Sequence, residues 1–135
     1  MRAKDFSFYS WIFLLAALWN LIGTCFGYFN TAFTFEGVFD KPLTDPLFFE
    51  IYRGAWGTTF LFFIGYLLVA YNPIKHWGIA LVGGIGKLAF AISELQLFHA
   101  NLANQKILII VIGDFLFCIV FIGYFLKLIK YKEQV

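Results

Sequence analysis

Charge is what this chain lacks most: only 13% of its 135 residues are Asp, Glu, Lys or Arg, against about a quarter in an ordinary soluble domain. A soluble globule of this size leaves roughly a third of its unfolded surface in water, and so few charges cannot cover it. The balance of charge is also slight, a formal +2, which argues against nucleic acid as a partner. Cysteine is scarce as well. Cys25 and Cys118 stand alone, without metal or redox spacing, and read as packing residues within apolar runs. Proline occurs three times, and Pro42, Pro46 and Pro73 all fall between the long apolar runs.

What fills the chain is apolar. Hydrophobic residues make up 61% of it, with 19 phenylalanines, and the mean hydropathy is +0.81. Hydrocarbon about 30 Å thick needs ~20 apolar residues per helix. Four such runs can be placed, at roughly 8–28, 49–71, 77–98 and 107–127. They use up most of residues 1–135, so the expected fold is all-α, a single membrane-spanning antiparallel four-helix bundle in contact with the lipid bilayer. The first run follows Arg2 and Lys4, as a secretory signal would. It is too long for one, carries Trp11, Trp19 and Asn20, lacks a small-x-small cleavage site, and is read as a retained helix.

Positive residues set the orientation. An even number of spans puts both termini on one side, together with Arg2, Lys4, Lys75, Lys127, Lys130 and Lys132. The other side has Lys41 and Lys106, with Arg53 at a helix mouth. Positive residues stay inside, so both termini are expected in the cytoplasm.

Between the first two spans lies "FNTAFTFEGVFDKPLTDP", acidic and aromatic at once. It is expected to be a loop folded back on the membrane surface with its rings at headgroup level. Asp45 suits a helix cap and Pro46 the first helical turn. The short connections "YNPIKHW" and "HANLANQK" make spans two to four antiparallel neighbours in turn. His76 and His99 then lie on opposite sides of the membrane and cannot share a metal or a haem, so no cofactor and no metal is expected.

Within the spans the polar residues are few and deep: Asn20, Arg53, Lys87, Glu94 and Asp114. A charge at the centre of a lone inserting helix costs about 2.5–3.5 kcal/mol, and intramembrane ionisable groups are functional candidates by default. Helical rise puts Lys87 ~15 Å from the start of its span and Asp114 ~10 Å from the start of the next. Two positive and two negative groups with one amide suggest a neutral, paired cluster opening outward. The expected pairs are Lys87 with Asp114 and Arg53 with Glu94, bridged by Asn20. Glycines beside them (Gly54, Gly57, Gly83, Gly84, Gly86 and Gly113) would make space for the ion pairs. "GGIGK" resembles part of a phosphate loop, but Leu88 stands where Ser or Thr is needed and no strand precedes it. Ser93 has no nearby base to make it a nucleophile, and its expected bond is back into its own helix. No catalytic residue is expected.

The motifs "LWN" (Leu18 to Asn20), "DPL" (Asp45 to Leu47), "GYLLVAYNPIKHWGI", "GIGKL" and "GDFLF" together resemble a group of small bacterial four-helix membrane proteins, loosely DoxX-like. The resemblance covers most of the chain. It implies a place in the bacterial inner membrane, brings Asn20, Lys87 and Asp114 together as one set, and implies no cofactor ligands. Two functions fit. One is a polar cluster that binds a small polar or lipid-like ligand or relays protons. The other is a non-catalytic accessory subunit, held against a membrane-protein partner or a second copy of itself.

Overall fold

A computed structural model of the chain describes residues 3–135; Arg2, counted above, lies outside them. The described residues form a 3-10 turn at Ala3–Phe6 and then five α-helices, with no strand. These are α1 (Ser7–Gly27), α2 (Thr31–Phe39), α3 (Pro46–Tyr71), α4 (Trp77–His99) and α5 (Ile107–Glu133). Four of them, all but α2, are long and apolar enough to cross a membrane. Their starts and ends follow local chemistry. Asp45 Oδ1 accepts from the backbone N–H of Leu47 (2.8 Å) and of Phe48 (3.4 Å), with Pro46 in the first turn. This uses donors that a helix start leaves unpaired. At the far end of α3, Asn72 is extended before Pro73, whose ring disfavours helix at the preceding residue.

Helix α5 runs past the expected end near residue 127 to Glu133. Its 27 residues span ~40 Å, more than the ~30 Å of hydrocarbon. The last turns carry Lys130 and Lys132, and Lys132 Nζ lies 4.1 Å from the centre of the Trp77 ring. Lys127 donates to the backbone oxygen of Asp5. Both described ends of the chain therefore meet the α3–α4 turn at one end of the bundle.

The expected surface loop at 29–46 is corrected: its first half is the helix α2. Thr31, Thr34 and Val38 are buried, a spacing of three and four that makes one helical face. Thr34 Oγ1 donates to Phe26 O (2.6 Å) and Thr31 Oγ1 to Tyr28 O (3.0 Å), tying α2 to the end of α1. Asp40, with a φ of 54°, ends the helix in the left-handed region. Asn104, in the α4–α5 loop, then fastens α2 from across the bundle. Its Nδ2 donates to Gly37 O (2.8 Å) and to the Asp40 carboxylate (3.1 Å), and its backbone N–H donates to Val38 O (2.8 Å).

The long helices are antiparallel to their neighbours and close a ring in the order α1, α3, α4, α5. Helix α1 packs chiefly on α3, and α4 on α5. The two pairs meet through large rings at the terminal end. Phe13 of α1 lies 4.6 Å from Phe121 and 4.9 Å from Tyr124 of α5, ring centre to ring centre, and 6.0 Å from Tyr66 of α3. Tyr124 Oη closes that end by donating to Pro73 O (2.5 Å). Lipid offers no hydrophobic drive between helices, so such contact packing is what holds spans together. The outward faces are apolar too: Ile109, Ile112, Leu116, Ile119, Ile122 and Leu126 run exposed along α5. A helix apolar on every side is the mark of a span set in lipid.

Candidate functional site: an ion pair at the base of a lateral cavity

Three of the five polar residues come together. Lys87 of α4 donates from Nζ to Asp114 Oδ1 of α5 at 2.8 Å and to Asn20 Oδ1 of α1 at 2.9 Å. All three side chains are buried. Asn20 Nδ2 donates onward to the backbone oxygen of Thr59 in α3 (3.1 Å), so the cluster ties all four long helices. A fourth member, missed in the sequence as a cluster residue, is Trp19. Its Nε1–H donates to Asp114 Oδ1 at 3.0 Å. The signal was available, since Trp19 precedes Asn20 and so lies on the adjoining side of the same helix. The ammonium also faces rings: its nitrogen is 5.2 Å from the centre of Phe117 and 5.6 Å from that of Tyr66, within cation–π range.

The expected pair of Arg53 with Glu94 does not form. Arg53 reaches one turn back to Glu50 (3.9 Å), where both side chains are well exposed, and its guanidinium lies 4.3 Å from the centre of the Tyr28 ring. The cause is local. Glu50 is at i−3 on the same helix, and the flat Tyr28 ring offers a stacking surface nearer than α4. Glu94 is half-buried on α4, about two turns from Lys87 toward the α2 end, and does not join the cluster. Ser93 Oγ donates to Ala89 O four residues back (2.9 Å), as expected.

The glycines make room for aromatic rings rather than for the ion pair. A Cβ on Gly113 would come 2.1 Å from the Trp19 ring, one on Gly27 1.9 Å from the Trp56 ring, and one on Gly83 2.6 Å from Tyr66 Oη. The bare backbones at these points let Trp19 lean on α5, Trp56 on α1 and Tyr66 on α4. Gly54 and Gly86 meet nothing within 4 Å.

Above the ion pair, toward α2, is a cavity of about 640 Å³. Asn20, Lys87, Asp114, Phe62 and Tyr66 are at its base, Trp56 and Phe90 on its wall, and Thr34, Gly37 and Val38 of α2 over it. It reaches the outside of the bundle at two seams. Ile22 and Phe26 of α1 and Ile109 of α5 are exposed residues that line it on one side. Ala55 and Thr58 of α3 and Gly86 of α4 do the same on the other. These seams lie where the helix packing is sparse, in the half of the bundle away from the Phe13 core. Both openings face the apolar flank of the bundle.

A comparison of the chain with protein families, curated proteins and solved structures finds no match. What the site can do must therefore be argued from its own chemistry. Tyr66 adds one more fact: its hydroxyl is fully buried and has no hydrogen-bond partner among the described residues. A buried unpaired hydroxyl is costly.

Proposed function

We propose that this protein binds an amphipathic, lipid-like ligand taken laterally from the membrane, with the ligand's polar end at Asn20, Lys87 and Asp114. The observation that carries this reading is the cavity: about 640 Å³, within the range of small-molecule sites, apolar along most of its wall and with a buried ion pair at its base. A register-fixing ion pair needs no such space around it. Consistent with the proposal, exposed residues of α1, α3, α4 and α5 line the cavity between the helices, which gives a molecule dissolved in hydrocarbon a lateral path.

In this reading the chain is a multi-pass protein of the bacterial inner membrane, loosely DoxX-like. Lys75, Lys127, Lys130 and Lys132 gather at the end that holds both termini, which supports a cytoplasmic position for that end. The cavity then belongs to the outer half of the bilayer. No step of covalent chemistry is assigned, and the role is binding.

The test is to fill the cavity without touching the ion pair. A side chain on Gly37 or Gly86 would start in free space, so Gly37→Leu and Gly86→Leu should insert and fold. Native mass spectrometry from a mild detergent should find an amphiphile held by the parent protein and depleted in both narrowed variants. Equal retention by all three proteins, or none by any, would overturn the proposal.

A further inference from the structure

The geometry points to the chemical class of that ligand: an amphiphile whose head is an uncharged hydroxyl, as in a long-chain alcohol or an acylglycerol. The inference rests on the cavity being a ligand site and adds which head it takes.

Counting donors and acceptors gives the head. A lysine ammonium has three donors, and two are committed, to Asn20 Oδ1 and Asp114 Oδ1. The third has no oxygen partner among the described residues. Asp114 accepts both of its hydrogen bonds, from Lys87 and Trp19, on Oδ1. That leaves Oδ2 without one. The Tyr66 hydroxyl, also unpaired, is fully buried against Gly83 of α4 and closed to a ligand, so the base offers one free donor and one free acceptor, on neighbouring side chains. A hydroxyl can accept from the first and donate to the second with a single oxygen. An ether or a ketone can only accept, and would leave Oδ2 unpaired in an apolar surround, at a cost.

Charge narrows the choice further. The Lys87–Asp114 pair sums to zero, held at 2.8 Å with both side chains only 7% exposed. A phosphate or carboxylate at the base would face Asp114, and an ammonium would face Lys87. Either would have to break a buried pair to be accepted. The cation at the lip, Lys106, could hold an anionic headgroup, but that arrangement would lay the apolar tail on the ion pair. The head-down arrangement instead places the tail along Trp56 and Phe90, which line the wall. If each non-hydrogen atom takes up about the 30 Å³ of a water, the cavity of about 640 Å³ holds on the order of 20 such atoms. A chain of about 12 carbons with its head fits within that.

The experiment uses the full chain in phosphatidylcholine nanodiscs and four probes sharing one photoreactive 12-carbon chain. Their heads are an alcohol, its methyl ether, a phosphate monoester and a trimethylammonium. Crosslinked residues are mapped by peptide mass spectrometry. The alcohol should label cavity residues roughly three- to tenfold more than the ether, the worth of one hydrogen bond, and more than either charged probe. In Lys87→Met/Asp114→Asn the alcohol and ether should become equal. Equal cavity labelling by alcohol and ether in the parent protein would overturn the head assignment while leaving the ligand site standing. Preference for phosphate or ammonium would do the same. Labelling confined to outward residues such as Ile119 and Leu126, unchanged by Gly86→Leu, would overturn the head assignment and the ligand site together.

Discussion

Removing one member of the Lys87–Asp114 pair should cost far more than removing both. At 2.8 Å, two unit charges attract by about 6 kcal/mol at an effective dielectric constant of 20. Most of that offsets the cost of taking two ions out of water, which is why a buried pair adds little net stability. Losing one partner leaves the other charge uncompensated, at about 3–5 kcal/mol. Lys87→Met strands Asp114 with only the Trp19 N–H, and Asp114→Asn strands the ammonium with two amide oxygens. The double variant strands no charge. It loses the lysine bond to Asn20 and leaves that carbonyl short of a donor, about 1–2 kcal/mol. A double-mutant cycle measured by unfolding the four proteins in bicelles should therefore give a coupling of several kcal/mol, with the double variant more stable than either single one. If the two single costs add in the double variant, the pair is not a coupled buried pair, and the account of the cavity base is wrong.

Three further outcomes follow from the geometry. Tyr66→Phe removes a hydroxyl that is buried and unpaired and should raise the stability of the ligand-free protein by about 1–3 kcal/mol, read as a higher melting temperature in detergent. Gly113→Ala places a methyl 2.1 Å from the Trp19 ring and should cost about 1–3 kcal/mol through overpacking, with a shift in tryptophan emission as Trp19 leaves Asp114. Asn104→Ala removes the side-chain bonds to Gly37 and Asp40 and the one from the Lys106 N–H at the start of α5, and should speed hydrogen exchange at the α2 amides while leaving those in the middle of α5 unchanged.

The long helices were legible in the sequence because their signal is thermodynamic and local: ~20 apolar residues in a row have few other places to go. The starts at Pro46, Trp77 and Ile107 follow from cap and turn chemistry within a few residues of each. Helix α2 was not legible as a helix, since its nine residues are rich in phenylalanine, which marks a membrane surface as readily as a helix. The Thr31, Thr34, Val38 stripe was the clue to its fold. The meeting of Lys87 with Asp114 could be foreseen from depth along two adjacent spans. The separation of Arg53 from Glu94 could not, because depth says nothing about the rotation of a helix, and Glu50 and Tyr28 compete for the guanidinium at closer range. The cavity itself leaves no mark in one dimension. It arises where the Trp19 ring lies against Gly113 of α5 and the Trp56 ring across Gly27 of α1, and both depend on how rings from one helix meet the backbone of another.

Access from the bilayer to the base of the cavity is the central claim, and the tryptophans can report on it. Trp56 is buried and Trp19 half-buried, and both line the cavity, whereas Trp11 and Trp77 are exposed toward the other end of the bundle. In Trp11→Phe/Trp77→Phe protein, a 12-carbon alcohol brominated along its chain should quench the remaining emission in a saturable way, and Gly86→Leu should weaken that quenching. Emission that falls only in proportion to the bromine dissolved in the surrounding lipid, with no saturation and no effect of Gly86→Leu, would contradict the account.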